Sequence, residues 1–194
     1  MSAIRYSQHT MTYPFEKLPR RIFLDSCTAQ TLRDYGSYIY EGEEIPGDAR
    51  IRRVVDGIEK VEALRIIFYV SERAMFEWIV SSGSMAEAED KGDSGHMQWL
   101  WDVAHHSEVC LEGEGATAEN QSLGARLEEP KFGYLSAKDR LLLQHALTLR
   151  CEAFLTMERR LPRNATHIER ELGIRVLTPI THWEMLRPWA ALWR

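Results

Sequence analysis

Residues 136–158 read SAKDRLLLQHALTLRCEAFLTME, and this stretch predicts a helix followed by a buried strand. Ser136 has the character of a helix cap, and Asp139 follows in the first turn of a leucine-rich helix over residues 136–150. Residues 153–156 are mostly apolar and predict a short strand, with Glu158 just past its end. Ligands of open α/β sheets bind at the carboxyl ends of the strands. The acidic residue there therefore predicts a binding site at that edge.

Strands and helices alternate along the rest of the chain as they do in this stretch. Short apolar runs are separated by segments with helical spacing, and parallel strands need such helical crossovers. The predicted fold class is therefore α/β, with a mostly parallel central sheet flanked by helices in three layers, α/β/α. The predicted strands cover residues 20–25, 76–81, 153–156 and 174–177.

The segments between these strands carry recognisable helix and loop signals. Apolar residues recur at helical spacing over residues 49–71, which predicts one long amphipathic helix. Residues 28–35 predict a short helix that stops at Gly36. Residues 112–130 are rich in Gly, Ala, Glu and Asn and predict a loop. One or two helical turns before Gly173, a helix with Glu87 in a Ser84 capping box, and a closing helix over residues 181–193 are also expected.

Composition limits the classes of protein to consider. The 194 residues are 44% hydrophobic with a net charge of −5, which suits one folded domain over residues 20–194 after a lead-in of residues 1–19. The charge is uneven, because residues 131–194 hold 11 Lys and Arg against 6 Asp and Glu. The three cysteines have no CxxC spacing, so neither a disulfide framework nor a zinc knuckle is expected. No apolar run is long enough to span a membrane and no signal sequence is recognisable, so a cytoplasmic protein without a membrane partner is expected.

Four carboxylates occupy positions from which they could meet in one pocket. Asp25 and Glu158 each follow a predicted strand, and Glu87 and Asp139 lie in the first turns of predicted helices. Each of them alone has an ordinary explanation, as a turn former or as a helix-capping acid. Together they predict a divalent-metal site, since carboxylate oxygens are the usual ligands of such ions.

The same segments resemble the PIN domain family of metal-dependent nucleases. The likeness is strongest over residues 136–189, where an acidic residue precedes a leucine-rich helix, then a strand reading Phe-Leu-Thr-x-acid, then Leu-Gly-Ile-x-Val-Leu-x-Pro. Ile-Phe-Leu-Asp-Ser at residues 22–26 is similar to the first strand of the family and its first catalytic acid. Ile-Val-Ser at residues 79–81, followed by Glu87, is similar to its second strand and helix-borne acid. Residues 37–75 and 93–134 match nothing in the family and would be helical insertions.

The resemblance implies an endoribonuclease that hydrolyses RNA phosphodiester bonds with Mg²⁺ or Mn²⁺. Its catalytic acids and metal ligands would be Asp25, Glu87, Asp139 and Glu158. The family usually has Asp where this chain has Glu158, and a longer ligand can loosen one ion because Mg²⁺ demands near-ideal octahedral geometry. The hydroxyls of Ser26 and Thr156 would support the carboxylates. The expected RNA-binding residues are Lys138, Arg159, Arg160 and Arg163.

Partners and rival functions stay open at this level. Members of the family are often toxins held by an antitoxin or another protein inhibitor, or RNA-processing enzymes, and the sequence does not choose between these roles. A PIN-like fold without catalysis, acting as an RNA-binding or protein-interaction module, is one alternative. Another is a partner-binding protein whose helix over residues 49–71 and aromatic segment 189–193 mediate self-association. A homodimer is compatible with each of these functions.

Overall fold

Four parallel strands form the central sheet of the computed structural model, which describes residues 13–81 and 118–193. The spatial order is β2-β1-β3-β4, and each neighbouring pair is parallel. The predicted strands are confirmed: β1 and β2 are shortened at both ends, β3 at its carboxyl end and β4 at its amino end. Their bounds are Arg21–Leu24 for β1, Glu77–Ile79 for β2, Ala153–Leu155 for β3 and Arg175–Leu177 for β4.

Helices cover both faces of this sheet, which gives the predicted three-layer α/β/α class. Numbered over the described residues, they are α1 (Ser26–Asp34), α2 (Gly57–Ala74), α3 (Ala118–Leu127), α4 (Ala137–Thr148), α5 (Ala165–Leu172) and α6 (Pro179–Leu186). Short helical turns add to them: the 3₁₀ segments Phe15–Lys17, Arg50–Arg53, Pro130–Phe132, Leu161–Asn164 and Arg187–Trp193, and the π turn Ser37–Glu41.

Successive side chains of β1 point to opposite faces of the sheet, and each face is covered by its own hydrophobic core. Ile22 and Leu24 point to the first core, which they share with α1, α2 and α6. Phe23 points to the second core, where it stacks on Phe154 at 5.3 Å between ring centroids and packs with α3, α4 and α5. All three β1 residues are fully buried, as expected for a central strand covered on both faces.

The strand order creates a crevice between β1 and β3. From β1 the chain crosses to β2 on one side, and the later strands β3 and β4 lie on the other side. Such a reversal is where open α/β sheets bind ligands, at the carboxyl ends of the strands. The residues that follow β1 and β3 therefore lie at the position where the fold favours a site.

The prediction of one helix over residues 49–71 is wrong. The chain forms the 3₁₀ segment Arg50–Arg53, turns, and begins α2 only at Gly57. Asp56 adopts a left-handed conformation with φ 57°. A Cβ at Gly57 would lie 2.3 Å from the Ile51 carbonyl oxygen, so the close approach that makes this turn requires glycine.

Helix α1 begins earlier, and its helical path ends later, than the sequence predicts. Asp25 caps the helix, so α1 starts at Ser26 instead of residue 28. Gly36 does not stop the path, because the π turn Ser37–Glu41 continues it. The stop falls at Gly42, whose φ of 76° is the left-handed conformation that glycine adopts without strain.

The predicted loop over residues 112–130 contains a helix within its described part. Helix α3 packs on α4, and its last residue, Leu127, is buried in the second core. The composition that suggested a loop includes Ala, Glu, Gln, Leu and Arg, which also have high helix propensity. Packing against α4 decides between the two states.

Both described ends of the chain pack against each other. The indole N–H of Trp189 donates to the Tyr13 carbonyl oxygen at 2.8 Å, and Trp193 is buried in the first core. The predicted closing helix over residues 181–193 is instead α6 followed by the 3₁₀ segment Arg187–Trp193. Over the ranges given above, no helix has the length and apolar character to cross a membrane.

The fully buried His182 predicts an acid-sensitive fold. Its two ring nitrogens have no hydrogen-bond partner among the described residues, and burial lowers its pKa from 6.5 to about 3. Between these values the unfolded chain binds a proton that the folded chain does not, so stability falls as pH falls. We expect the loss to approach about 1.4 kcal/mol per pH unit below pH 6.5.

Replacement of the imidazole tests this prediction. In His182→Leu, urea unfolding followed by tryptophan fluorescence at pH 7.5, 5.5 and 4.5 should show a gain over wild type that grows as the pH falls. His167→Gln, at a partly exposed position, should follow the wild-type profile. Parallel curves for His182→Leu and wild type would contradict the prediction.

Candidate metal site at the strand edge

Asp25 links the first strand to the first helix. It directly follows β1, and its carboxylate Oδ1 accepts a hydrogen bond of 2.7 Å from the Thr28 backbone N–H, so it is the N-cap of α1. The helix dipole favours a negative charge at this position. Only 5% of the residue is exposed, so its carboxylate is nearly removed from water.

Thr156 joins the ends of the two central strands. Its buried hydroxyl donates to Asp25 Oδ2 and accepts from the Glu158 backbone N–H at 3.0 Å. The Thr28 hydroxyl adds a second link by donating to the Leu155 carbonyl oxygen at 3.0 Å. These bonds fix the turn after β3 against the start of α1. The same turn carries Glu158 and brings it toward Asp25.

Asp25, Cys27 and Glu158 form a carboxylate–thiol cluster. One ligand atom from each residue lies within 4.8 Å of the others. The Cys27 thiol donates a long hydrogen bond of 3.8 Å to Glu158 Oε1. Asp25 is buried, Cys27 is half-buried and Glu158 is exposed, so the cluster opens to solvent on the Glu158 side.

Burial determines the protonation states of the cluster. Loss of water raises the pKa of Asp25 from 3.8 to about 6, and the Glu158 charge adds to the rise, against the hydrogen bonds from Thr156 and Thr28 that lower it. Burial and the neighbouring carboxylates raise the pKa of the Cys27 thiol to about 12. The thiol is therefore protonated at neutral pH, and Asp25 ionises at a cost that a nearby cation would offset.

Lys60 and Cys27 are two residues at this site that sequence reasoning missed. The Lys60 ammonium donates to the Met157 carbonyl oxygen at 2.7 Å, between Thr156 and Glu158 in the chain. Lys60 lies on the apolar stripe of α2 with Leu64 and Ile67, and a lysine on such a stripe is a signal that the sequence offered. Cys27 carried no signal beyond its nearness to Asp25.

Of the four predicted acids, the structure brings Asp25 and Glu158 together. Asp139 forms a capping box with Ser136, whose backbone N–H and hydroxyl donate to Asp139 Oδ2 at 3.0 and 2.8 Å. Within the described chain, its carboxylate is not one of the cluster's ligand atoms. Glu87 lies outside the described residues. Ser26, predicted as a supporting hydroxyl, is buried at the start of α1.

The predicted RNA-binding residues are exposed, and three of the four follow Glu158 in the chain. Arg159 and Arg160 follow Glu158 directly and are exposed, and Arg160 also donates to the Tyr134 carbonyl oxygen at 3.1 Å. Arg163 is exposed one turn later. The Lys138 charge acts to lower the pKa of Cys27, against the larger effect of burial, so the first turn of α4 is close to the cluster.

The donor set fits a divalent cation. Two carboxylates from neighbouring strand ends supply hard oxygen ligands, and the thiol supplies one softer atom. Comparisons with protein-family models, with curated proteins and with solved structures give no match to this chain. The fold and the cluster therefore define the class in physical terms: a parallel α/β/α domain with a carboxylate–thiol cluster at its strand-edge crevice.

The raised pKa of Asp25 predicts a second effect of pH on the stability of the fold, opposite in sign to the effect of His182. Between 3.8 and about 6 the folded protein holds a proton that the unfolded chain releases, so stability falls as pH rises through this window. The total is about 3 kcal/mol, at about 1.4 kcal/mol per unit. In EDTA, Asp25→Asn should therefore gain about this much relative to wild type between pH 4 and pH 7.5.

Chemical unfolding at the two pH values measures this gain. Asp34→Asn, an exposed acid at the other end of α1, is the matched control and should show no such gain. An Asp25→Asn profile that runs parallel to wild type would show that the carboxyl ionises as freely in the folded protein as in the unfolded chain.

Proposed function

We propose that this protein is a divalent-metal-dependent endoribonuclease of the PIN-like kind, with the carboxylate–thiol cluster as its centre. The observation that carries the proposal is the convergence of Asp25 and Glu158 at the crevice where the strand order reverses. Asp25 and Glu158 are 133 residues apart in the sequence. The Thr156 hydroxyl nevertheless bonds to the Asp25 carboxylate and to the Glu158 backbone N–H. This is the position at which α/β sheets carry their sites.

Asp25 and Glu158 would hold Mg²⁺ or Mn²⁺ in this proposal. A bound divalent ion supplies a water of lowered pKa and stabilises charge on the phosphate oxygens. The residues of the chain set the geometry: Thr28 and Thr156 orient the Asp25 carboxylate, and Thr156 also holds the backbone of Glu158. No side-chain nucleophile is then needed, which agrees with a Cys27 thiol that is protonated at neutral pH.

RNA is the proposed substrate because cations flank the cluster. Exposed Arg159, Arg160 and Arg163 follow Glu158, and Lys138 approaches from α4. Guanidinium groups bind phosphate oxygens in a bidentate manner and position a nucleic-acid backbone without reading its sequence. A cytoplasmic location and control by a protein inhibitor or antitoxin belong to the same proposal.

A PIN-like module without catalysis is the second candidate. It is favoured by the small number of carboxylates, since Asp25 and Glu158 are the two that meet in the described cluster and Asp139 is engaged in its capping box. Such a module would retain the basic turn after Glu158 and bind RNA or protein without cutting it. Cleavage assays separate the two functions.

The nuclease proposal predicts metal-dependent cleavage that depends on Asp25 and Glu158. A pool of single-stranded and structured RNA should be cut with Mn²⁺ or Mg²⁺ and left intact in EDTA. Asp25→Asn and Glu158→Gln should each lower the rate by more than about 100-fold, the upper range for partners that only orient metal ligands. Asp34→Asn and Glu169→Gln, both exposed acids elsewhere, serve as matched controls and should cut normally.

Equal cutting by wild type and by Asp25→Asn would assign the activity to a contaminant or to another site. RNA binding without cutting under every metal condition would instead support the module without catalysis. Chemical unfolding of Asp25→Asn at the assay pH separates a loss of activity from a loss of folded protein.

Asp139 is tested separately, because its carboxylate also stabilises α4. If it takes part in catalysis as the family resemblance implies, Asp139→Asn should lower cleavage at least about 10-fold, as outer partners of metal ligands do. Ser136→Ala breaks the same capping box, costs about 1 kcal/mol of stability and leaves the carboxylate in place. It should therefore cut RNA at the wild-type rate. Equal activity of the two variants would reduce Asp139 to a helix-capping residue.

A further inference from the structure

Lys60 is a buried cation that the proposed chemistry leaves unused. It lies near the start of α2, yet its ammonium reaches the carboxyl edge of β3 and donates to the Met157 carbonyl oxygen at 2.7 Å. Only 3% of the residue is exposed. Among the described residues, Met157 provides the one hydrogen bond that this ammonium makes. The charges of Asp25, Asp56 and Arg159 act on it.

A lysine at this position is costly for the fold. Burying an ammonium with one hydrogen bond has a large desolvation penalty, and an apolar residue would fit the stripe that Leu64 and Ile67 continue. Burial accordingly lowers the pKa of Lys60, although Asp56 acts in the opposite direction. The lysine is therefore better explained by what it holds in place than by the stability it contributes.

The bond from Lys60 falls on the turn that carries Glu158. Thr156 fixes this turn from the β1 side, through Asp25 and through the Glu158 backbone N–H. Lys60 fixes it from the α2 side, through the carbonyl of the intervening Met157. Met157 is itself 9% exposed, so loss of the donor would leave a buried carbonyl without a partner and allow the turn to move.

We propose that Lys60 is a positioning residue of the carboxylate–thiol cluster, which holds the 156–158 turn so that Glu158 stays within ligand distance of Asp25. The proposal rests on the proposed function in one respect, since the cluster must bind a divalent cation. The proposed role depends on the hydrogen bond of Lys60 and not on its charge. Loss of the hydrogen bond and loss of the charge would change the cation affinity in opposite directions. Loss of positioning weakens cation binding, whereas loss of a nearby positive charge strengthens it by removing repulsion.

Calorimetric titration of the full chain with Mn²⁺ tests the proposal without reference to catalysis. Lys60→Met removes the donor and the charge at similar length, and should weaken Mn²⁺ binding by about 10- to 100-fold, the range for outer partners of metal ligands. Lys60→Gln removes the charge and keeps an N–H donor, and should recover part of that loss. Lys131→Met is the matched control, since this lysine pairs with Glu129 and Glu171 on the surface. Its Mn²⁺ affinity should equal that of wild type.

The direction in which the Mn²⁺ affinity changes decides whether Lys60 positions the cluster. Unchanged or tighter Mn²⁺ binding by folded Lys60→Met would overturn the positioning role while leaving the proposed metal site intact. If Lys60→Met does not fold, Lys60→Leu decides in the same way, because it also lacks the donor and the charge and matches the apolar stripe of α2. A wild-type protein that binds no Mn²⁺ would instead overturn the metal site itself, and with it this proposal.

Discussion

The hydroxyl of Thr156 is the link on which the candidate site depends. It connects Asp25, after β1, to the backbone of Glu158, after β3, and both strands must be in register for the link to form. The Asp25 backbone N–H extends the same register by donating to the Leu155 carbonyl oxygen at 3.2 Å. A one-residue slip of β3 would turn Phe154 from the second core to the first and carry Glu158 away, so packing and site geometry are specified together.

The site brings together groups whose charges the fold does not balance on its own. Asp25 and Glu158 repel each other, and burial opposes the ionisation of Asp25, while the dipole of α1 and hydrogen bonds from Thr156 and Thr28 favour it. Lys60 is buried nearby at a further cost. Proteins commonly break rules of folding consistency at functional positions and compensate elsewhere. Here the compensation comes from two large cores on either side of the sheet.

Much of the fold could be predicted because its signals are local. The strands are apolar runs, and the Ser136 cap and the Gly173 stop are visible in the sequence and present in the structure. The turn before α2 could not be predicted, because glycine is required at position 57 only by the close approach of the Ile51 carbonyl oxygen, which the sequence does not show. The same holds for the site: strand ends indicated Asp25 and Glu158, whereas the part played by Lys60 depends on a contact 97 residues away in sequence.

Cys27 bears on the choice of cation at the cluster. A thiolate would favour a soft ion such as Zn²⁺, whereas Mg²⁺ and Mn²⁺ prefer oxygen ligands. Without a bound ion, burial and the adjacent carboxylates raise the pKa of this thiol to about 12, so a cation that does not displace the thiol proton gains no third anionic ligand from Cys27. Such an ion would have the Asp25 and Glu158 carboxylates as its anionic ligands, and the exposed Glu158 side would leave it open to water. This arrangement suits a hard ion that retains several waters, as Mg²⁺ does.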